Sequence, residues 1–155
     1  MKGRKSIILT SLLMLATACQ KADGINQFQP TNTEGWNCLD TLVFDVPAST
    51  QPHDYEVLLH ARITHQFTSK DLWMVVEQQY GDPDSLRPFV DTLTIQVADE
   101  NGNFIGKGRD LLEYTTPVRV VRLQSGTEGQ IRVHHIQTDT HVKGVHDVGI
   151  EVRYR

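Results

Sequence analysis

Four histidines, His134, His135, His141 and His146, crowd together with Asp139 and Asp147 near the end of the chain. Imidazoles and carboxylates are the ligands a zinc ion takes three or four at a time, and the same groups serve as general acids and bases. Their spacing argues against both uses. His134 and His135 are neighbours in a segment that reads as a strand, so they point to opposite faces and only one can join a site. The intervals from 135 to 141 and from 141 to 146 match no metal motif, and His141 and His146 flank a turn at Lys143 and Gly144. A metal-dependent hydrolase using His135, His141 and His146 is kept only as a third functional reading. Serines 49, 69, 85 and 125 lie in turn-like stretches, none within Gly-x-Ser-x-Gly. The glycine-rich run Asn101 to Asp110 lacks the Gly-Lys-Ser/Thr ending of a phosphate-binding loop. Asp82, Asp84, Asp99 and Glu100 offer oxygen ligands for calcium, but the run 99–103 is not the longer loop ending in Glu that an EF-hand needs. No catalytic, metal or cofactor-binding residue is expected, and the chain does not read as an enzyme.

Cys19 carries different chemistry. The chain opens with Lys2, Arg4 and Lys5, then runs from Ile7 to Ala18 with nothing more polar than Thr and Ser. A basic start, a short apolar stretch and small residues at its end have the layout of a bacterial export signal. The apolar run falls short of the ~18 residues that a membrane-spanning helix needs. Ala16, Thr17 and Ala18 supply a small-x-small cleavage site, and the cysteine directly behind it resembles the lipobox of bacterial lipoproteins. There the thiol takes a diacylglyceryl group, and the amine freed by cleavage takes an N-acyl chain. Two or more acyl chains hold a protein stably on a bilayer where one does not. The usual Leu three residues before the cysteine is Ala16 here, and an ordinary cleaved signal with an incidental cysteine is the alternative. Cys19 is accordingly expected to be the lipid attachment site. Its acylation would leave Cys38 without a partner in the chain, as a buried or half-buried thiol.

Cleavage before Cys19 removes three basic and no acidic side chains, leaving twelve Lys and Arg against nineteen Asp and Glu. So acidic a remainder argues against nucleic acid as a partner and against a basic patch for anionic lipid. The length fits one domain with a real core.

The elements that must position these residues read as strands. Residues 20–34 are polar and without apolar periodicity, which suggests a flexible tether over 19–34. Beyond Trp36 the apolar residues alternate: Leu42, Phe44 and Val46; Tyr55, Val57, Leu59, Ala61 and Ile63; Leu93, Ile95 and Val97; Val148, Ile150, Val152 and Tyr154. Alternation is what half-buried strands need. Ser69 to Tyr80 can be read with either period; its paired valines and the Gly-Asp-Pro stop favour a strand, with Trp73 in the core. Asp110 to Tyr114 suggests a single helical turn. Seven or eight strands joined by Gly-, Asn- and Asp-rich turns, with no α/β alternation, indicate an all-β fold: a single antiparallel β-sandwich, Ig-like or jelly-roll-like, over 35–155. It would follow a signal peptide over 1–18 and the short tether. The sequence Asp-Thr-Leu-Val-Phe-Asp-Val at 40–46 echoes Asp-Thr-Leu-Thr-Ile-Gln-Val at 91–97, through duplication or through shared strand grammar.

Several stretches taken together carry a family likeness: 35–47, 71–80, 90–108 and 135–152. Trp36 and Asp40 form a Trp-x-x-x-Asp segment, and Asp91, Thr92 and Leu93 lead to Asn101, Gly102, Gly106 and Gly108. His135 precedes a Gly-x-x-Asp-Val-Gly run at Gly144, Asp147, Val148 and Gly149. In order and spacing this pattern, with its lipobox, resembles the GldH-type gliding-motility lipoproteins of the Bacteroidetes. It departs at Gln137 and Thr138, where Met-Arg is common, and at Phe104, where Trp is expected. The resemblance implies a lipid-anchored envelope protein, an accessory, non-catalytic component of gliding-motility or type IX secretion-associated machinery. It would act by contact with other envelope proteins. Gln20 behind the cysteine, in place of an Asp, favours the outer membrane and its periplasmic face. The second reading, from a different class, is a carbohydrate- or peptidoglycan-binding sandwich that uses an exposed Trp36 or Tyr80 as a stacking platform.

Overall fold

Alternation in the sequence becomes burial in the structure, a computed structural model that describes residues 24–82 and 87–155. The leader 1–18, Cys19, tether residues 20–23 and Asp84 lie outside the described residues. In β4 (His53–Thr64) the side chains of Tyr55, Val57, Leu59, Ala61 and Ile63 are buried. The same holds for Leu72, Met74, Val76 and Tyr80 of β5 (Asp71–Tyr80), and for Val148, Ile150 and Val152 of β10 (Val145–Tyr154). The other strands are β1 (Ile25–Pro30), β2 (Trp36–Asn37), β3 (Leu42–Val46) and β6 (Phe89–Gln96). They are completed by β7 (Leu111–Leu123), β8 (Gly129–His135) and β9 (His141–Val142).

Two four-stranded sheets form, in the orders β1-β10-β4-β7 and β3-β8-β5-β6, and every pairing is antiparallel. A two-residue ladder of β2 and β9 sits apart from both. The chain crosses between the sheets at each main connection except the β5–β6 hairpin. This is the strand order of a jelly roll, one of the two sandwich types expected. The inner faces meet in one cluster, with Phe44, Met74 and Ile131 from one sheet and Leu59, Ile63 and Ile150 from the other. Each such burial contributes about 1.5–3 kcal/mol relative to exposure.

Polar bridges close the two flanks of the sandwich. Between β6 and β7, Arg119 grips Asp91 with two hydrogen bonds of 2.7 Å, Gln78 Nε2 reaches Asp91 at 3.4 Å, and the Tyr80 hydroxyl donates to Gln78 Oε1 at 2.9 Å. Burial pushes the Tyr80 phenol well above its ordinary pKa, so it stays neutral and serves as a donor. Between β1 and β3, Gln29 Nε2 donates to the carbonyl of Val43. The prolines obey edge geometry. Pro30 ends edge strand β1, and Pro117 lies in edge strand β7 beside a bulge opposite Val57 and Leu58.

Four expectations need correction. The tether over 19–34 is not loose throughout, because Ile25–Pro30 forms β1 and pairs residue by residue with β10. Only Ile25 among its inward positions is apolar, while Gln27 and Gln29 sit at the sheet margin, so period two is invisible there. Asp110 to Tyr114 is no helical turn; Leu111–Leu123 is a strand, drawn into the sheet by its long ladder with β4. Trp73 is 46% exposed rather than core, because the inward parity of β5 belongs to Leu72, Met74 and Val76. Tyr154, the last residue of β10, is exposed as well, although it pairs with Tyr55 and stacks on that ring. The two echoing stretches become β3 and β6, the opposite edges of one sheet.

Candidate functional site

At one end of the sandwich, β4 finishes and β5, β7 and β10 begin, and the connections 31–41, 64–70, 97–110 and 136–144 meet. Trp36 is the centre of this end. It is 1% exposed; its indole Nε1 donates to the Asp40 carbonyl at 2.8 Å, and β2 pairs it with Val142. His135 is wholly buried edge-on against it, with ring centroids 5.0 Å apart. The backbone N–H of Gln137 donates to His135 Nδ1 at 3.3 Å, so the proton sits on Nε2, which donates to the Trp36 carbonyl at 2.9 Å. Burial, chiefly, holds the imidazole below its ordinary pKa, with His134 and His141 adding to the effect. His135 is therefore a neutral structural crosslink with both nitrogens engaged.

The other histidines are dispersed. His134 faces outward beside Val75. His141 is exposed and bonded to Asn37 at 3.0 Å, and His146 pairs with Asp147 at 2.7 Å. Asp147 also takes the Arg62 Nε at 2.6 Å. Among the described residues, no group of three His, Cys, Asp or Glu side chains could hold a metal ion. Asp99 is spent on its own turn: its carboxylate accepts from the backbone of Asn101 and Asn103 and from the Asn103 side chain, and the Asn103 bonds hold it below its usual pKa. Cys38 is a free, half-buried thiol, with its backbone N–H bonded to Thr140. No helix among the described residues is long and apolar enough to cross a membrane.

Some of the residues that carry the family likeness, Trp36, Gly106, His135 and Gly144, converge at this end from separate stretches of sequence, whereas Asp91 lies on the β6–β7 flank and Gly149 in the middle of β10. Gly144, at φ 85°, leaves a place where an added Cβ would lie 2.2 Å from the Phe67 nitrogen, so only glycine lets the β9–β10 turn approach the connection that follows β4. Gly106 lies against the Tyr114 ring, and that tyrosine's hydroxyl donates to the Val97 carbonyl at 2.8 Å. A notch of about 280 Å³ opens nearby, lined in part by Phe67, Gln137, Asp139 and His141.

The stacking platforms expected at Trp36 and Tyr80 do not exist, since both side chains are buried. Exposed apolar surface lies instead on the outer face of the β3-β8-β5-β6 sheet. Trp73 pairs with Thr94 on one side and accepts the Ile136 backbone N–H on the other. Val75 stands between Thr92 and His134, and Val90 opposes Glu77. Ile136 and Val90 are, like Trp73, about half exposed. An apolar row rimmed by polar side chains is how contact surfaces are built.

Sequence reasoning missed a second cluster, on the outer face of the other sheet. Phe28 of β1 lies over Gly149, with Arg62 Cζ 4.3 Å from its ring centroid and the His60 ring 5.7 Å away. His60 is buried there and ties β4 to both neighbours, through Glu151 at 3.1 Å and Thr115 at 3.0 Å. Its one sequence signal was an unexplained aromatic within a polar stretch.

Comparison with known proteins gives one family. The model of a family described as GldH lipoprotein matches residues 24–152. No curated protein matches the chain. Among solved structures, a non-crystalline cellulose specific carbohydrate-binding module, CBM28, is similar at 15% identity and a TM-score of 0.43, covering 85% of this chain and 74% of its own. Eiger TNF from S. frugiperda is similar at 9% identity and a TM-score of 0.34, covering 86% and 94%. An aminopeptidase from a marine sediment archaeon, Thaumarchaeota archaeon, is similar at 14% identity and a TM-score of 0.38, over 73% of this chain; the chain spans 23% of that protein's length.

Proposed function

This chain belongs to the GldH lipoprotein family, and on that premise we propose that it is an accessory, non-catalytic component of gliding-motility or type IX secretion-associated machinery. It is held by acyl chains on Cys19, at the periplasmic face of the outer membrane, and works by contact with other envelope proteins. The observation that carries this reading is the family match, which runs from the residue before β1 into β10. Two features agree with it. Each candidate catalytic histidine has a structural or surface setting, and the Trp73 row offers the half-exposed apolar surface that protein partners cover.

A second reading keeps one supporting observation. Trp73 stands beside Thr92 and Thr94, the setting of an aromatic that stacks on a sugar, although Trp36 and Tyr80 are withdrawn from that role.

One experiment separates the two: a crosslinked pull-down of the tagged protein from envelope membranes, with wild type, Cys19→Ala and Trp73→Ala compared. Motility or secretion components recovered with wild type and lost with Cys19→Ala support the membrane-positioned contact role. Recovery of glycan alone, lost with Trp73→Ala, overturns it in favour of the second reading.

A further inference from the structure

The link between Cys19 and the first strand is much shorter than the sequence suggested. All six residues of β1 pair with β10, from Ile25 opposite Val152 to Pro30 opposite Asp147. Phe28 adds its stack over Gly149 and under Arg62. Freeing β1 would break that ladder and that stack together, so the link from Cys19 to the fold ends at Gly24. Five residue steps from Cys19 reach at most ~18 Å, even fully extended. A link running to Glu34 would reach ~50 Å, more than the ~40 Å length of β4 or β7. The longer link would let the domain turn either end to a membrane; the shorter one cannot.

Resting on acylation of Cys19, we propose that the sandwich stands on the lipid surface by the end at which β1 begins, with the Trp36 end projecting away from it. The surface in question comprises the connections 47–52 and 124–128 and the end of β10, and its partner is the bilayer that carries the anchor. Two of the cations at this end are already paired. Arg122 is paired with Asp54 at 3.1 Å, and Arg153 with Glu56 at 2.9 Å. The link imposes the closeness, so salt does not loosen the arrangement. Trp73 and Ile136, near the opposite ends of their strands, are then offered to partners well clear of the lipid.

The test places a fluorophore at either end of the full chain, made in a bacterium that processes lipoproteins. Gln51→Cys and Glu100→Cys, each in a Cys38→Ser background, are reconstituted into phosphatidylethanolamine–phosphatidylglycerol vesicles whose headgroups carry a short-range quencher. Mass spectrometry reads the lipid adduct on Cys19 separately. With the adduct present, the label at 51 loses its emission and the label at 100 keeps it. About ten Gly and Ser residues inserted before Gly24 abolish that difference. Equal quenching at both sites, or stronger quenching at 100, overturns the orientation and leaves the anchor standing. Absence of the adduct overturns the anchor, and the orientation with it.

Discussion

Phe28 lies flat over Gly149, so close that a Cβ added at 149 would sit 2.6 Å from the ring. Gly149 is the residue of β10 directly opposite Phe28, which makes the contact a cross-strand pair with one member reduced to backbone. Arg62 and His60, from the next strand, finish the seat. The pair fastens an edge strand that has only one neighbour and little inward apolar surface.

Gly149→Ala should therefore act first on β1. The ring has to leave, and overpacking of this kind costs about 1–3 kcal/mol. Hydrogen exchange at 26–29 should quicken more than at β4, while Phe28→Ala alone should quicken it less severely. Equal protection of β1 in Gly149→Ala and wild type would show that the ladder alone holds the strand.

Asp91 and Arg119 form the second fastening, across the β6–β7 flank. Their side chains are 18% and 32% exposed, so water screens the pair in part. Asp91→Asn should cost about 1–3 kcal/mol in urea unfolding, since it weakens two charge-assisted bonds and disturbs the Gln78–Tyr80 chain behind them. The Asp91→Leu/Arg119→Leu double variant should recover part of that loss, because no charge is then stranded. A double variant as unstable as the sum of its singles would contradict the coupling.

The two tryptophans should part company. Trp36→Ala empties a fully buried site and should cost about 3–5 kcal/mol, whereas Trp73→Ala, on a half-exposed outer face, should cost about 1 kcal/mol or less. Thermal unfolding of both reads this directly. A large loss for Trp73→Ala would mean that the outer row is structural and would weaken the contact reading.

Period two was legible wherever one face of a strand is buried by a full sheet, as in β4 and the middle of β10. It failed at margins. In β1 the inward positions beyond Ile25 are glutamines, and Phe28 points outward, so the strand looked like tether. In β5 both parities are rich in apolar residues, and nothing local says that Trp73 loses the core to Met74 and Val76. The convergence of Trp36, Gly106, His135 and Gly144 was visible only as motif order. Their proximity depends on loops from both sheets, which no local pattern encodes. Burial of His135 was likewise hidden, since its neighbour His134 has the same chemistry and the opposite face.

That burial has a pH signature. The folded chain holds His135 below its ordinary 6.5, chiefly because the ring is desolvated. On acidification the unfolded chain takes up the proton first, so unfolding becomes more favourable as pH drops. The stability tied to His135 is complete above about 6.5 and is lost as pH falls through the depressed folded value. Urea midpoints measured from about pH 7 down to pH 5 should decline. His135→Gln, which cannot titrate, should start from lower stability and show a shallower decline over the same range. A slope unchanged in His135→Gln would assign the acid sensitivity to other groups.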